Sequence, residues 1–454
     1  MSRLDKNCNT PPVAYVSGRN KDLGELKKNE FGTATIMISH SCNLHCTYCF
    51  EDCKEMGVHN NIDNIKAFVD ALLRNEYKEL LDVDKIKFLY FEFFGGEPFL
   101  RIDLMEQTID YVNEKLKREH SKFESAHAFY LVTNGTIFND RVKEFIAKYA
   151  FCTDTTISLD GCKECHDNCR VFADGSGSYD IAESFTKWMF EQGYTIATRS
   201  PQFTIAPQNC HYFYEGIKNM YNLGFEWIRS PFVADDDWDK VDIKTINTVF
   251  KQGYDIINWI ITEDITDIQM VSFLQNFGEY EDIHKVLAVC IDNRVCIDAY
   301  GDIYPCERFM GIVKNDFGAE PLCYGNVHSG FLKTESDKKH FQQYLDFKKY
   351  GFILPDKCKN CKLIQSCPVC FACHYKYNGD IRKKTVYHCI PHKLEYLWTW
   401  YFSMCRFIKY GTKFDKSDIR LDELYLPEEE IKYLIGDDDI FNTYIKLRDI
   451  YVSD

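Results

Sequence analysis

The chain has 454 residues, enough for two or three domains, and 45% of them are hydrophobic, which suffices for sizeable cores. The net charge of −15 argues against nucleic acid as the main partner, because neutralising phosphates requires a basic face. No apolar run is long enough to span a membrane, and residues 1–6 lack the apolar stretch of a signal peptide, so we expect a cytoplasmic protein without a membrane partner.

After an N-terminal segment at 1–32, strand-like and helix-like stretches alternate along residues 33–235. Amphipathic stretches such as Asn64–Leu81 and Leu104–Glu119 predict helices. This alternation predicts an α/β fold with a parallel sheet, open or partly closed into a barrel, in which ligands bind at the carboxyl ends of the strands. The segments that predict strands are rich in Ile, Val, Phe, Tyr or Thr: Thr33–Ser41, Lys87–Gly95, Ala128–Thr136, Cys152–Gly161, Thr195–Ile205 and Trp227–Ala234.

The second half of the chain differs from the first in its predicted secondary structure and its cysteine content. Residues 236–289 predict a helical bridge, residues 290–392 a small cysteine-rich domain, and residues 393–454 a C-terminal helical segment. Of the 21 cysteines, three lie at 42–49, three at 162–169 and ten between 290 and 389. In a chain without a secretion signal, such clusters favour metal binding over disulfides.

Cys42, Cys46 and Cys49 follow the first predicted strand with the spacing C-x3-C-x2-C. A cubane iron–sulfur cluster has four irons and normally takes four thiolates, so three thiolates leave one iron open. An open metal position is typical of a catalytic site. The alternative is a zinc knuckle, with Cys53 or His45 as its fourth ligand.

Polar or glycine-rich motifs stand at the ends of the next strands. The second ends in Gly95-Gly96-Glu97-Pro98, whose carbonyls and carboxylate are suited to accept hydrogen bonds from an ammonium group. The third ends in Thr133-Asn134-Gly135, and the fourth in Ser158-Leu159-Asp160-Gly161. Each alone is a turn signal, but their order behind the three cysteines makes them reinforce one another.

These motifs, in this order, resemble those of the radical S-adenosylmethionine (radical SAM) superfamily over roughly residues 33–235. The resemblance implies a partial (β/α)6 barrel, similar to a TIM barrel, and a [4Fe–4S] cluster whose open iron is chelated by S-adenosylmethionine. It implies these contacts: Cys42, Cys46 and Cys49 on the cluster; Tyr48 near the adenine; Gly95, Gly96 and Glu97 at the methionine amine; Ser158 and Asp160 at the ribose or carboxylate; Arg170 or Arg199 at the carboxylate.

The cysteine-rich half opens with a predicted β-hairpin, turning at Gly301-Asp302, that delivers Cys296 and Cys306. It resembles the SPASM extension of radical SAM enzymes, in which two auxiliary [4Fe–4S] clusters take interleaved ligands. The resemblance assigns Cys290, Cys296, Cys306 and Cys370 to the first auxiliary cluster, and Cys358, Cys361, Cys367 and Cys389 to the second.

One spacing departs from that pattern, because two residues rather than three separate Cys367 from Cys370. Cys373 is therefore an alternative ligand, and if neither binds, the first auxiliary cluster has an iron open to a substrate thiolate. Two zinc sites are the alternative to two clusters. We interpret Cys162, Cys165 and Cys169 as free thiols, since no fourth cysteine lies near them.

Glu307 directly follows Cys306 and is a candidate catalytic base for the proton released when a substrate radical is oxidised. The resemblance supports this role, since sulfatase-maturating relatives have an aspartate near this place. The alternative is a surface salt bridge with Arg308 or Lys314.

The resemblance implies a radical SAM/SPASM enzyme that abstracts a hydrogen atom from a peptide or protein side chain. The expected product is a Cys-derived thioether or similar crosslink in a ribosomally made peptide; the alternative is sulfatase-maturase oxidation of Cys or Ser to formylglycine. We expect an external electron donor of ferredoxin or flavodoxin type. Because only residues 1–41 precede the cysteine loop, leader recognition would use another surface or a separate leader-binding protein. An iron–sulfur electron carrier or a zinc-stapled binding scaffold would leave the Gly95–Pro98 motif unexplained.

Overall fold

The computed structural model describes residues 28–51, 56–194, 201–234, 238–270, 293–311, 321–364, 366–367, 370–411 and 423–453. Within these ranges the strands are β1 (Phe31–Ser39), β2 (Phe88–Gly95), β3 (His127–Thr133), β4 (Thr153–Ile157), β5 (Trp227–Ile228), β6 (Gln269–Met270), β7 (Arg294–Ile297), β8 (Ile303–Tyr304), β9 (Gly325–Asn326) and β10 (Gly330–Phe331). The α-helices are α1 (Ile62–Leu73), α2 (Ile102–Arg118), α3 (Asp140–Tyr149), α4 (Lys163–Asp167), α5 (Tyr179–Glu191), α6 (Phe213–Asn222), α7 (Ile243–Thr262), α8 (Glu307–Met310), α9 (Glu335–Tyr350), α10 (Asp356–Lys359), α11 (Phe371–Asn378), α12 (Cys389–Tyr410), α13 (Glu428–Ile435) and α14 (Asp438–Ser453).

A six-stranded sheet with the order β4-β3-β2-β1-β7-β8 forms the centre of the fold. Strands β1 to β4 are parallel neighbours, as the alternation of strands and helices predicts. Parallel neighbours need crossover connections, and α1, α2 and α3 supply them. The expected α/β fold is confirmed, and the carboxyl ends of β1 to β4 meet at one edge.

The fifth and sixth predicted strands are less regular than expected. Residues 195–200 lie outside the described ranges, and the rest of that segment makes isolated parallel bridges, Gln202 with Arg229 and Ile205 with Phe232. The Gln202 N–H donates to the Ile157 carbonyl at 3.0 Å, so the segment still continues the wall of the barrel beyond β4. Prolines 201 and 231 lack an N–H to donate, which accounts for single bridges in place of a continuous ladder.

The first helix is shorter than the predicted Asn64–Leu81. Its N-cap, Asn61, accepts hydrogen bonds from the Asp63 and Asn64 N–H groups, and its apolar face is buried. The helix ends at Leu73 because Asn75 adopts a left-handed backbone conformation with φ of 60°, which the α-helix does not allow. The prediction of Leu104–Glu119 agrees with α2 to within a few residues.

The predicted hairpin is present, with β7 and β8 antiparallel and Gly301 at φ of +84° in its turn. Strand β7 also pairs in parallel with β1, placing Cys296 opposite Thr35. The hairpin is therefore part of the same sheet as the barrel strands. The domain boundaries at 235 and 290 stay predictions.

Two long helices of the second half pack against each other. In the bridge, α7 lies against α12, where the Trp398 indole donates to the Phe250 carbonyl at 3.0 Å and Tyr254 stacks on Tyr401 with ring centroids 4.7 Å apart. Trp398 and Trp400 are fully buried, so these aromatic residues form core. No helix in the described ranges has both the length and the apolar character needed to cross a membrane.

Candidate active site at the strand ends

The three-cysteine loop follows β1 at the carboxyl edge of the sheet. Cys42 is buried, and Cys46 and Cys49 are half-buried. The Cys42 sulfur accepts a hydrogen bond from the Leu44 N–H at 3.4 Å and from the Asn134 amide at 3.9 Å. The Cys42 sulfur therefore accepts one hydrogen bond from its own loop and one from the end of β3.

Backbone hydrogen bonds fix the shape of this loop. The His45 N–H donates to the Val171 carbonyl at 2.7 Å, and the Thr47 N–H donates to the Cys169 carbonyl at 2.9 Å. Cys169 is fully buried, as is Cys165, so the loop rests on a packed wall. Burial raises the pKa of Cys169 to about 12, which keeps this thiol protonated at neutral pH.

The two glycines at the end of β2, Gly95 and Gly96, let the strand approach the cysteine loop. The Gly96 N–H donates to the Ser39 carbonyl at 2.9 Å, and the Glu97 N–H to the Ser41 carbonyl at 3.0 Å. A methyl carbon at Gly95 would lie 2.2 Å from the Ser39 oxygen, and one at Gly96 would lie 2.3 Å from the Ser41 oxygen. Glycine is therefore required for the chain to pack against itself here, whatever ligand also approaches these residues.

Glu97 is completely buried and links the ends of β2 and β3. One carboxylate oxygen accepts from the Phe99 N–H at 3.0 Å and the Thr133 hydroxyl at 2.8 Å; the other accepts from the Asn134 N–H at 2.8 Å. Burial outweighs these hydrogen bonds and raises the pKa of Glu97 to about 7. Three protein donors occupy the carboxylate, and its contact with a methionine amine stays a prediction.

Asn134 holds the residue that follows Cys42. Its amide donates to the Asn43 side-chain oxygen at 2.9 Å, the Asn43 amide donates to the Thr136 hydroxyl at 2.7 Å, and this hydroxyl donates back to Asn134 at 2.6 Å. In the sequence this strand end is only a turn signal. The structure shows that it anchors the start of the cysteine loop.

Asp160, at the end of β4, fixes Tyr48. One of its oxygens accepts from the Tyr48 hydroxyl and from Arg170 Nε at 3.0 Å, and the other accepts from the Thr204 N–H at 2.9 Å. The Arg170 guanidinium lies 5.3 Å from the centre of the Tyr48 ring. Burial raises the pKa of Tyr48, so its hydroxyl stays a donor.

The remaining predicted site residues are placed as follows. Ser158 is half-buried in the same strand end, while Arg199 and the predicted cluster ligand Cys290 lie outside the described residues.

Glu307 has a different partner from the ones the sequence suggests. It lies 2.5 Å from Arg294 Nη1, which also donates to Glu92 at 3.1 Å, and the Cys306 thiol donates to it at 3.4 Å. Burial raises the pKa of Glu307, but the Arg294 charge and the hydrogen bonds from the backbone, Cys306 and Arg294 together outweigh it. The net pKa is lowered, so the carboxylate is ionised. Lys314 lies outside the described residues.

Arg308 connects the cysteine loop with the second half of the chain. Its guanidinium lies 4.7 Å from the centre of the Phe50 ring and donates to the Cys373 sulfur at 3.8 Å. Cys373 is buried, whereas Cys370 is half-buried at the N-terminus of α11, where its sulfur accepts the Cys373 N–H at 3.5 Å. Both alternative ligands for the first auxiliary cluster are therefore within one helical turn of each other.

A cavity of about 310 Å³ lies between α10, α12 and α13. Its walls include the four cysteines that the SPASM resemblance assigns to the second auxiliary cluster: Cys358, Cys361, Cys367 and Cys389. Across the described ranges, no three His, Cys, Asp or Glu side chains are gathered tightly enough to hold a single metal ion. In a cubane cluster each thiolate binds a different iron, so the thiolates surround the cluster and do not converge on one ion.

Comparison with known proteins identifies the family. A family model described as the Radical SAM superfamily matches residues 36–198. A cysteine-type anaerobic sulfatase-maturating enzyme of Clostridium novyi (strain NT) is 33% identical over 72% of this chain and 84% of its own length. The chain belongs to the radical SAM superfamily. A radical SAM cyclopropyl synthase, TigE, of Paramaledivibacter caminithermalis is 24% identical over 79% of this chain and 72% of that protein.

Solved structures share the fold of this radical SAM protein. The structure of anSMEcpe with bound AdoMet has a TM-score of 0.59 at 15% identity, covering 85% of this chain and 97% of that one. Streptococcus suis SuiB bound to its precursor peptide SuiA has a TM-score of 0.52 at 16% identity, covering 80% and 77%. At these identities the likeness establishes the fold, and it confirms the predicted partial barrel.

Membership makes the protein an enzyme that binds S-adenosylmethionine and a [4Fe–4S] cluster. The strand-end residues fit such a group. Three soft sulfur donors occupy a pre-shaped loop, and the glycine backbone after β2 lies directly beside it, where a Cβ would clash. The fit therefore agrees with the ligands expected from the sequence, and their assignment remains a proposal.

Sequence reasoning did not single out Arg294 and Glu92, although a signal for both exists. Glu92 is the one charged residue within β2, whose other seven residues are Phe, Leu, Tyr or Gly. Arg294 lies two residues before Cys296 and therefore points to the same face of β7. A charged side chain on an apolar strand requires a buried partner, and each supplies it for the other.

Proposed function

We propose that this radical SAM enzyme abstracts a hydrogen atom from a side chain of a peptide or protein and installs a Cys-derived thioether or similar crosslink in a ribosomally made peptide. When bound, the cluster and S-adenosylmethionine supply a 5′-deoxyadenosyl radical. The observation that carries the proposal is the convergence of four strand ends on the three-cysteine loop. The peptide substrate is supported by the SuiB structure, which contains its precursor peptide.

The proposed cofactor contacts follow the sequence assignment. Cys42, Cys46 and Cys49 bind three irons, and Tyr48, held by Asp160, packs against the adenine. Further contacts are proposed for Gly95, Gly96 and Glu97 at the methionine amine, Ser158 and Asp160 at the ribose or carboxylate, and Arg170 or Arg199 at the carboxylate. Because Asp160 already accepts three hydrogen bonds, its main part is to orient Tyr48 and Arg170.

Two auxiliary [4Fe–4S] clusters complete the proposal. Cys358, Cys361, Cys367 and Cys389 hold the second cluster, supported by the single cavity that all four line. Cys290, Cys296 and Cys306 hold the first, with Cys370 or Cys373 as the fourth ligand. The iron content of the variants Cys370→Ser and Cys373→Ser distinguishes these two candidates. Only the variant that removes a true ligand should lose iron from the first auxiliary cluster.

Glu307 is proposed as the base. Joining a C–H carbon to a thiol removes one hydrogen atom, one proton and one electron from the substrate. The bound cofactors would supply the group that removes the hydrogen atom, Glu307 would accept the proton, and the electron needs an acceptor that the auxiliary clusters would provide. Arg294 holds the Glu307 carboxylate ionised, which is the form that accepts a proton.

A second candidate reaction is the oxidation of Cys or Ser to formylglycine. The relative from Clostridium novyi that is 33% identical is a cysteine-type sulfatase-maturating enzyme, which favours this alternative. The same strand-end site and the same base would serve it. The two reactions differ in what happens to the substrate thiol, so product analysis separates them.

The first experiment counts iron and sulfide after anaerobic reconstitution and looks for 5′-deoxyadenosine formed with dithionite. Three cubanes require about twelve irons per chain. The variant C42A/C46A/C49A should lose about four irons and all 5′-deoxyadenosine, whereas Cys405→Ala, a half-buried thiol in α12, should lose neither. Zinc in place of iron, or no 5′-deoxyadenosine from the wild type, would overturn the proposal.

The second experiment supplies any short Cys-rich peptide that is found encoded beside the gene and, separately, a Cys-containing sulfatase peptide. A thioether appears as the loss of two hydrogen atoms and of one alkylatable thiol. Formylglycine appears as an aldehyde that a hydrazide probe captures. A peptide panel that gives neither product, with 5′-deoxyadenosine still formed, would contradict both reactions.

Each radical requires one electron, so we propose an external electron donor of ferredoxin or flavodoxin type. We also propose a cytoplasmic location. Replacing dithionite by a reduced flavodoxin system should sustain 5′-deoxyadenosine formation. A separate leader-binding protein is also proposed. Adding it should lower the KM for a leader-containing peptide and leave the KM for a leaderless peptide unchanged.

A further inference from the structure

Asn134, at the end of β3, places its side-chain amide against the sulfur of Cys42. Its Nδ2 atom donates a long hydrogen bond to the Cys42 sulfur at 3.9 Å and a second one to the Asn43 side-chain oxygen at 2.9 Å. Asn134 and Cys42 are both buried. Because the low dielectric of a buried site strengthens polar interactions, the amide dipole acts on this sulfur more than it would at the surface.

A backbone group fixes the orientation of this amide. The oxygen of the Asn134 side chain accepts from the Thr136 N–H at 2.9 Å and from the Thr136 hydroxyl at 2.6 Å. A backbone N–H can only donate, so the atom that faces it must be the oxygen, and the atom that faces Cys42 must be the nitrogen. Asn134 therefore presents a donor, and not an acceptor, to the sulfur.

Further contacts hold Asn134 in this position. Its backbone N–H donates to the buried Glu97 carboxylate at 2.8 Å. The Asn43 amide donates to the Thr136 hydroxyl at 2.7 Å, which closes a ring of three side chains at the start of the cysteine loop. Because Asn134 is held at its backbone and at both ends of its amide group, the donor is in place before any charge develops on the sulfur.

A [4Fe–4S] cluster bound to thiolates gains one negative charge when it takes up an electron. A hydrogen-bond donor at a ligand sulfur stabilises the reduced form more than the oxidised form, and this raises the reduction potential. Hydrogen bonds to charged acceptors are also stronger than those between neutral groups. An amide that faces the Cys42 sulfur would act on a bound cluster in this way.

We propose that Asn134 is a positioning residue that raises the reduction potential of the cluster at Cys42, Cys46 and Cys49 through its hydrogen bond to the Cys42 sulfur. A higher potential makes this cluster easier to reduce by the external donor that supplies one electron for each radical. The inference rests on the proposed assignment of the three cysteines. Because Asn134 acts through a ligand, its effect is visible in the potential of the cluster, apart from any activity.

The test is a redox titration of the reconstituted full-length protein at about pH 8, where an aspartate is ionised, followed by electron paramagnetic resonance. The signal of this cluster is the one that the variant C42A/C46A/C49A lacks. Asn134→Asp keeps the size of the side chain but replaces the donor by an acceptor, and Asn134→Ala removes the amide. The matched control is Asn222→Asp, which makes the same change at an exposed position at the end of α6.

Thr136→Val separates the donor from the anchoring of the loop. It removes the hydroxyl that joins Asn43 to Asn134, but the Thr136 N–H still orients the Asn134 amide. The donor at the Cys42 sulfur is therefore kept in this variant. We expect its potential to stay near the wild-type value.

Asn134→Asp should lower the reduction equilibrium constant of this cluster about tenfold, which is ~59 mV for a one-electron couple. Asn134→Ala should shift it in the same direction by a smaller factor, because no negative charge is added. Asn222→Asp should leave the potential unchanged, and all variants should keep the iron content of the wild type. If Asn134→Asp alone loses iron, Asn134→Ala carries the same test.

Unchanged potentials in both Asn134 variants, at full iron content, would overturn this inference and leave the ligand assignment intact. A shift in Thr136→Val as large as that in Asn134→Asp would also overturn it, because the anchoring of the loop would then set the potential. Loss of about four irons from both Asn134 variants would do the same, because the amide would then be required to hold the cluster and not to tune it. Full iron content in C42A/C46A/C49A would instead overturn the ligand assignment.

Discussion

Replacing Glu97 by glutamine tests whether this carboxyl group is protonated in the folded enzyme near neutral pH. Glu97 is completely buried between the ends of β2 and β3, and its pKa is raised from 4.5 to about 7. Glutamine keeps the size of the side chain but cannot titrate. The comparison of the two proteins therefore isolates the proton on Glu97.

The size of the effect follows from the two pKa values. A rise from 4.5 to about 7 corresponds to roughly 3 kcal/mol of stability. Within this range the folded protein keeps a proton that the unfolded chain releases. The stabilisation is therefore fully present below pH 4.5 and is lost as the pH rises through about 7.

The assay is urea unfolding of the reconstituted enzyme at pH values from about 6 to about 8. Over this interval Glu97 should lower the free energy of unfolding of the wild type by about 1.4 kcal/mol, and the variant should lack this decrease. Glu124→Gln, at an exposed position, is the control and should follow the wild type. Parallel pH profiles for wild type and Glu97→Gln would refute the reasoning, since Glu97 would then be ionised throughout.

Two further variants test the packing around the site. Gly96→Ala places a methyl carbon 2.3 Å from the Ser41 oxygen, an overpacking that costs about 1–3 kcal/mol. We expect S-adenosylmethionine binding, measured by equilibrium dialysis, to weaken roughly tenfold or more. Wild-type affinity in this variant would contradict the steric argument. Arg294→Met leaves the Glu92 and Glu307 carboxylates facing each other and should lower the free energy of unfolding by about 3–5 kcal/mol. The double variant with Glu92→Gln should recover part of this loss, and equal losses in both would argue against the ion-pair network.

The barrel was predictable where the local sequence decides the structure. Strands β1 to β4 are rich in β-branched or aromatic residues and are followed by polar or glycine-rich turns, and both signals lie within a few residues of each other. The fifth and sixth segments have the same β-forming composition, but Pro201 and Pro231 interrupt their hydrogen bonding. Composition alone therefore overestimates the regularity of this side of the barrel.

The site was predictable as a set of strand ends, because parallel strands bring their carboxyl ends together whatever the intervening sequence. The contacts between individual side chains within the site could not be predicted from the sequence. Glu92 and Arg294 are 202 residues apart, and their contact depends on β7 joining the sheet beside β1. The same holds for Glu97: its motif indicates an amine contact, whereas its three hydrogen bonds all go to protein groups.

The pairing of β7 with β1 also links the cysteine loop to the proposed site of the first auxiliary cluster. Thr35 in β1 lies between Glu92 in β2 and Cys296 in β7, and the cysteine loop begins three residues after β1 ends. One continuous strand thus carries the radical-generating loop at its end and a proposed auxiliary ligand at its side. Because hydrogen-bond register fixes both positions, a slip of one residue between β1 and β7 would turn Cys296 to the opposite face of the sheet. The position of Cys296, a proposed ligand of the first auxiliary cluster, relative to the cysteine loop is therefore set by the sheet.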